Sequence, residues 1–139
     1  MNIKTDKITL STKGHTDIID ITDSVAKIIH KSKIDDGIAT IFVPGSTGGL
    51  TTVEYEPGLI KDLKDVFEEL FPYKAPWAHN ATWGDGNGAS HVRASLMGPS
   101  ITVPFAKGQM TLGTWQQIVF IDFDTRGRSR QLVVQVMGS

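Results

Sequence analysis

Residues 100–138 read SITVPFAKGQMTLGTWQQIVFIDFDTRGRSRQLVVQVMG, and this stretch decides the fold. Four β-rich runs, at 100–105, 110–112, 115–122 and 130–137, are punctuated by the turn signals Lys107-Gly108 and Arg126-Gly127. Working back toward the N-terminus, residues 91–97 read as a short helix stopped by Gly98-Pro99. Residues 58–71 carry a clear amphipathic stripe of Leu59, Ile60, Leu63, Val66, Phe67 and Leu70, with a charged opposite face and Pro72 as the stop. Residues 50–55 and 38–43 read as strands, separated by the loop Pro44-Gly45-Ser46-Thr47-Gly48-Gly49. A first helix starts at Thr22 or Asp23 and runs to about Lys33, with Val25, Ile28 and Ile29 on one stripe. Before it come strands at 2–12 and 15–20. The order is β-β-α-β-β-α, a long loop with a short helix, then four strands. Helices grouped among paired strands predict an α+β fold, mostly antiparallel, in one domain spanning 1–139.

Composition narrows the function. The chain has 139 residues, 14 Lys+Arg against 15 Asp+Glu, and no cysteine. Without cysteine there is no disulfide framework, thiolate zinc site, iron–sulfur cluster or cysteine nucleophile. A net charge of −1 argues against wholesale binding to a nucleic-acid backbone. No apolar run approaches the roughly 18–20 residues that span a bilayer. The first residues mix both charge signs and precede no apolar h-region, so the expectation is a soluble cytoplasmic protein.

The densest polar cluster is His79-Asn80-Ala81-Thr82-Trp83-Gly84-Asp85-Gly86-Asn87-Gly88-Ala89-Ser90-His91. Two imidazoles, a carboxylate and an amide fall within a segment, 73–90 and just beyond, that reads as an ordered site loop held by Trp77 and Trp83. Imidazole suits both acid–base work near neutral pH and metal ligation. The spacing matches neither His-x-x-x-His on a helix nor an EF-hand, and Asp85-Gly86-Asn87-Gly88 alone is ordinary turn chemistry. Glu54 and Glu56 share a strand face by period two. The loop 44–49 has the glycines and hydroxyls of an anion cradle but lacks the Gly-Lys-Ser/Thr ending of a nucleotide P-loop. Arg93, Lys107, Arg126, Arg128 and Arg130 offer cationic charge, and Arg128 and Arg130 alternate on one strand face as a phosphate clamp would. Trp115 and Gln116 read as a structural corner or a pocket wall, whereas His15 and His30 look incidental.

The set Pro72, Trp77, His79, Trp83, Asp85-Gly86-Asn87, Ser90-His91-Val92, Gly98-Pro99-Ser100 and Leu112-Gly113-Thr114-Trp115-Gln116-Gln117, with the later Asp-x-Asp and Arg-x-Arg, resembles the YjbQ/UPF0047 family. That family is sometimes called secondary thiamine-phosphate synthase. The resemblance implies a fold of β2-α-β2-α2-β4 order and a homotrimer with sites where subunits meet. It implies a weak synthase activity joining a hydroxymethylpyrimidine diphosphate to a thiazole phosphate with loss of pyrophosphate. It carries Glu54, His79, Asp85, Asn87, His91, Trp115 and Gln116 as the polar positions, and a divalent metal, Mg or Zn, at His79, Asp85 and His91. In this reading His79, Asp85, His91 and Glu54 are catalytic, and Asn87, Trp115, Gln116, Arg128 and Arg130 bind a small phosphorylated molecule. Gly45 stands where many members have a histidine, which removes a third imidazole and leaves the 45–48 loop as an alternative anion site. Two other functions fit the same residues: metal-assisted hydrolysis of a phosphorylated small molecule, and a non-catalytic ligand-binding trimer.

Overall fold

The computed structural model describes all of residues 1–139. The elements are β1 (Asn2–Ser11), β2 (Asp17–Asp20), α1 (Thr22–Ser32), β3 (Gly37–Phe42), β4 (Gly48–Val53), α2 (Pro57–Leu70), α3 (Ala78–Trp83), α4 (Gly88–Met97), β5 (Ser100–Ala106), β6 (Gln109–Met110), β7 (Gln117–Asp122) and β8 (Ser129–Gly138). A five-stranded sheet has the order β1-β8-β3-β5-β6, a three-stranded sheet the order β2-β7-β4, and every pairing is antiparallel. This is the expected mixed α+β fold. No helix is long and apolar enough to cross a membrane.

Alternation in the strands explains the layering. On β1, Ile8 points inward while Thr9 and Ser11 stay wet; on β8, Leu132, Val134 and Val136 are fully buried. These side chains meet Val25 and Ile29 of α1, and Leu50, Ile118 and Phe120 of the smaller sheet, in one apolar core. The opposite face of the small sheet, Ile18, Val119 and Ile121, packs with Phe123, Phe67 of α2 and Ala94 of α4 in a second core. β7 is therefore covered on both faces, which is why its run Ile118-Val119-Phe120-Ile121 is continuously apolar rather than alternating.

Helix ends follow local chemistry. The Glu56 carboxylate accepts from the Gly58 and Leu59 amides at 2.7 and 2.8 Å and, with Pro57 in the first turn, starts α2. Glu56 is thus a helix cap, and it also borders the recess that Glu54 lines. For α1, Asp20 accepts from the Thr22 amide at 2.9 Å, two residues ahead of Thr22, the nearer of the expected caps.

Two expectations change. The segment read as a loop contains the six-residue α3, and α4 begins at Gly88 rather than at His91, so three helices, not two, lie between β4 and β5. The tethers are local: the Trp77 indole N–H donates to the Pro72 carbonyl at 2.8 Å, and Asn80 Oδ1 accepts from the Gly88 amide at 2.7 Å. Sequence periodicity has too little length to register over six residues. In addition β7 starts at Gln117, so Trp115 lies in a turn and is 73% exposed instead of lining a corner.

Candidate functional site

α3 and the first turn of α4 bring His79, Asp85, Asn87 and His91 together. The imidazole rings of His79 and His91 lie 4.3 Å apart between centroids, tilted by 36°. His79 Nδ1 is 3.7 Å from Asp85 Oδ1. With its amide nitrogen turned toward the pair, Asn87 donates to Asp85 Oδ1 at 2.9 Å and reaches His79 Nδ1 at 3.2 Å. The clustered polar residues of 79–91 thus form one constellation. His91 titrates below the ordinary imidazole value: partial burial disfavours its charged form, and the adjacent His79 disfavours it further. Asp85 and Asp124 pull in the opposite direction without reversing the shift.

Beneath this pair lies a buried polar network. Arg130 Nη2 and Nε donate to Asp122 at 2.9 and 3.2 Å, and Nη2 also donates to Thr47 Oγ1 at 2.7 Å. Thr12 Oγ1 donates to Asp122 Oδ2 at 2.5 Å, and the Asp124 amide donates to Asp122 Oδ1 at 2.9 Å. Burial pushes the Asp122 carboxyl up, but the hydrogen bonds from Arg130, Thr12 and the Asp124 amide outweigh it and hold it below its usual value. Arg128 Nη1 donates to Asp124 Oδ2 at 3.0 Å. This corrects the phosphate clamp: each arginine faces a carboxylate, and Arg128 precedes β8 rather than alternating along it. Arg93 is likewise no free cation. It is 1% exposed, donates to the Phe71 carbonyl, Glu68 and Thr16, and lies 4.0 Å over the Tyr73 ring.

The donors do not gather as a metal site within one chain. No group of three His, Asp and Glu side chains is gathered closely enough in this chain to enclose a metal ion, while His79 lies 3.7 Å from Asp85 and stacks beside His91. Ser90, on the first turn of α4, has a fully buried Oγ without a partner.

Three predicted residues lie elsewhere. The register pairs Gly48 with Asp122 and Val53 with Gln117. Thr47 and Glu54 therefore flank opposite ends of β4, about 23 Å apart along an extended strand. Glu54 and Trp115 border a recess with Tyr55 and Pro57. Gln116 donates to Thr52 Oγ1 at 3.0 Å and accepts from the Gly113 amide at 3.0 Å, which spends its amide on closing the 113–116 turn. The sequence reading missed the coupling of Asp122 and Asp124 to the site. Its signal was the Asp-x-Asp spacing, which places both carboxylates on one side at the end of β7.

Comparison with known proteins bears on the whole chain. A family model described as UPF0047 protein YjbQ-like matches residues 6–139. A UPF0047 protein of Methanothermobacter thermautotrophicus is 38% identical over 138 residues, covering 99% of this chain and 94% of its own. A UPF0047 protein of Archaeoglobus fulgidus is 36% identical over 131 residues, covering 94% and 99%. Among solved structures, a YbjQ-like protein of unknown function from Sulfolobus solfataricus superposes with a TM-score of 0.94 at 33% identity, covering 99% of each chain. A hypothetical protein from Aeropyrum pernix gives 0.91 at 29% identity, covering 98% of this chain and 99% of its own.

Proposed function

We propose, for a chain that belongs to the YjbQ-like UPF0047 family, that His79 and His91 form a general acid–base centre acting on a small phosphorylated molecule. The observation that carries this reading is the imidazole pair itself. Burial and the neighbouring ring keep His91 neutral at physiological pH, and a neutral imidazole is a competent proton acceptor. In the hydrolytic reading, His91 takes a proton from water as the water oxygen bonds to phosphorus. The phosphorus–oxygen bond to the alcohol breaks, and the departing oxygen is protonated by His79. Asp85 and Asn87 orient His79.

The synthase reaction is the second reading, supported by the polar positions that the resemblance carries. There a thiazole nitrogen attacks the pyrimidine methylene, the carbon–oxygen bond breaks and pyrophosphate leaves. The nucleophile loses no proton, so a neutral His91 has no task. The hydrolytic reading is therefore preferred. A homotrimer completes either proposal by letting a neighbouring subunit bring Glu54 and Trp115 to this centre.

The test is turnover of phosphomonoesters, and of the two thiamine precursors, by the native chain and by His91→Ala. A loss of about 100-fold or more with unchanged far-UV circular dichroism is expected for a general base. Equal turnover by the variant would turn the reading to a non-catalytic binder.

A further inference from the structure

The Pro44–Gly49 loop faces α4 across a small recess of about 190 Å³ lined by Gly45, Ser46, Gly48, Ala94, Ser95 and Pro99. Three observations concern the loop at its edge. First, the amides of Gly45, Ser46 and Thr47 find no acceptor within the chain, although Thr47 is buried. Second, Arg130 is only 4% exposed and spends Nε and Nη2 on Asp122 and Thr47, yet its Nη1 has no protein partner. Unpaired within the protein, Nη1 is not sealed from solvent. Third, a Cβ added at Gly45 would lie 3.2 Å from that Nη1, and the φ of +125° there is one that side-chain-bearing residues rarely adopt. The missing side chain is what leaves the guanidinium uncovered.

We infer that the Gly45–Thr47 loop at the edge of this recess is an anion subsite for the phosphate group of the substrate, gripped by the loop amides and by Arg130 Nη1 beside Gly45. Asp122 fixes the guanidinium in place and offsets its charge, so the grip is made of directed N–H groups rather than of net positive potential. Ser46 contributes a hydroxyl at the rim. The geometry joins this subsite to the acid–base centre. Ser95, on the wall of the recess, is four residues from His91 on α4, which places the two side chains on one helix face about 6 Å apart. A phosphate held at Gly45–Thr47 thus sits within a small molecule's reach of His91. The assignment rests on the proposed function only for this catalytic half; the anion grip stands on its own.

The experiment is titration of the full chain with inorganic phosphate at pH 7.5, followed by amide chemical shifts. Saturable shifts centred on Gly45, Ser46 and Thr47 are expected. Ser46→Asp, which sets a carboxylate at the rim of the recess, should weaken phosphate binding at least tenfold without lowering Tm. Gln109→Glu, at the exposed edge of the large sheet, should leave binding as it was. With a phosphomonoester that is turned over, Ser46→Asp should raise KM by a similar factor, and free phosphate should compete. Shifts absent from 45–47, or equal weakening by the two variants, would overturn the subsite. Loss of phosphate binding with turnover still dependent on His91 would remove the subsite alone. Phosphate bound at the loop with turnover indifferent to His91 would instead remove the acid–base reading and leave the subsite standing.

Discussion

At the Gly48–Asp122 end of the β4–β7 ladder, polar groups are buried and matched: Asp122 with Arg130, Thr47 with Arg130, Asp124 with Arg128. At the Val53–Gln117 end, five residues further along β4, Glu54 and Trp115 face solvent, and Gln116 serves its own turn. One end is complete within a single chain and carries the imidazole pair beside it. The other has a large exposed aromatic and an unpaired carboxylate, a surface that gains only when something covers it. The difference teaches that one strand ladder can carry a polar network paired inside the chain at one end and an exposed, unpartnered surface at the other.

The largest expected effect breaks the finished end. Arg130→Ala leaves the Asp122 charge buried and uncompensated, and should cost about 3–5 kcal/mol in urea unfolding at pH 7. A loss below 1 kcal/mol would mean that water reaches Asp122 and that the two ends are not so different. The pH dependence follows from the lowered carboxyl value of Asp122. Its stabilisation is intact above the unfolded value of about 3.9 and is lost as pH falls through the lower folded value. Arg130→Ala should flatten this acid limb.

A second measurement addresses the exposed end. Glu54→Ala should change stability by less than about 0.5 kcal/mol, as expected for a surface position. If a neighbouring subunit completes the centre, the same variant should lose tenfold or more in turnover. Mixed oligomers of Glu54→Ala and His91→Ala should then recover activity that neither has alone. No recovery, with both variants still oligomeric, would show that the two ends work independently.

The smallest effect sharpens the imidazole pair. His79→Ala removes the neighbouring charge that depresses His91, so the acid limb of kcat/KM should move to higher pH, toward the ordinary imidazole value. The direction follows because His91 must be neutral to accept a proton. An unmoved limb would mean that burial alone sets its titration.

Much of the fold was legible because it rests on patterns that local chemistry reveals. The alternation of β1 and β8, the apolar stripe of α2 and the paired turns of residues 100–138 each report a face that must be covered. α3 escaped because six residues give less than two turns of periodicity, and its ends are fixed by Trp77 and Asn80 reaching non-neighbouring backbone. The constellation at 79–91 was legible because its members are close in the chain. The roles of Arg93, Arg128 and Arg130 were not, because a basic residue reads alike in sequence whether it meets solvent or a buried carboxylate.

The sequence by itself determined the element types, the antiparallel class, the absence of cysteine chemistry and the polar cluster of α3 and α4. These depend on periodicity and composition, which are properties of neighbours along the chain. Only the tertiary structure decided that Asp122 consumes Arg130, that Gly45 uncovers the remaining guanidinium nitrogen, and that Glu54 and Thr47 stand at opposite ends of β4. Those outcomes depend on strand register and on what lies across the sheet, and a charge or a glycine acquires its meaning only from the group placed against it.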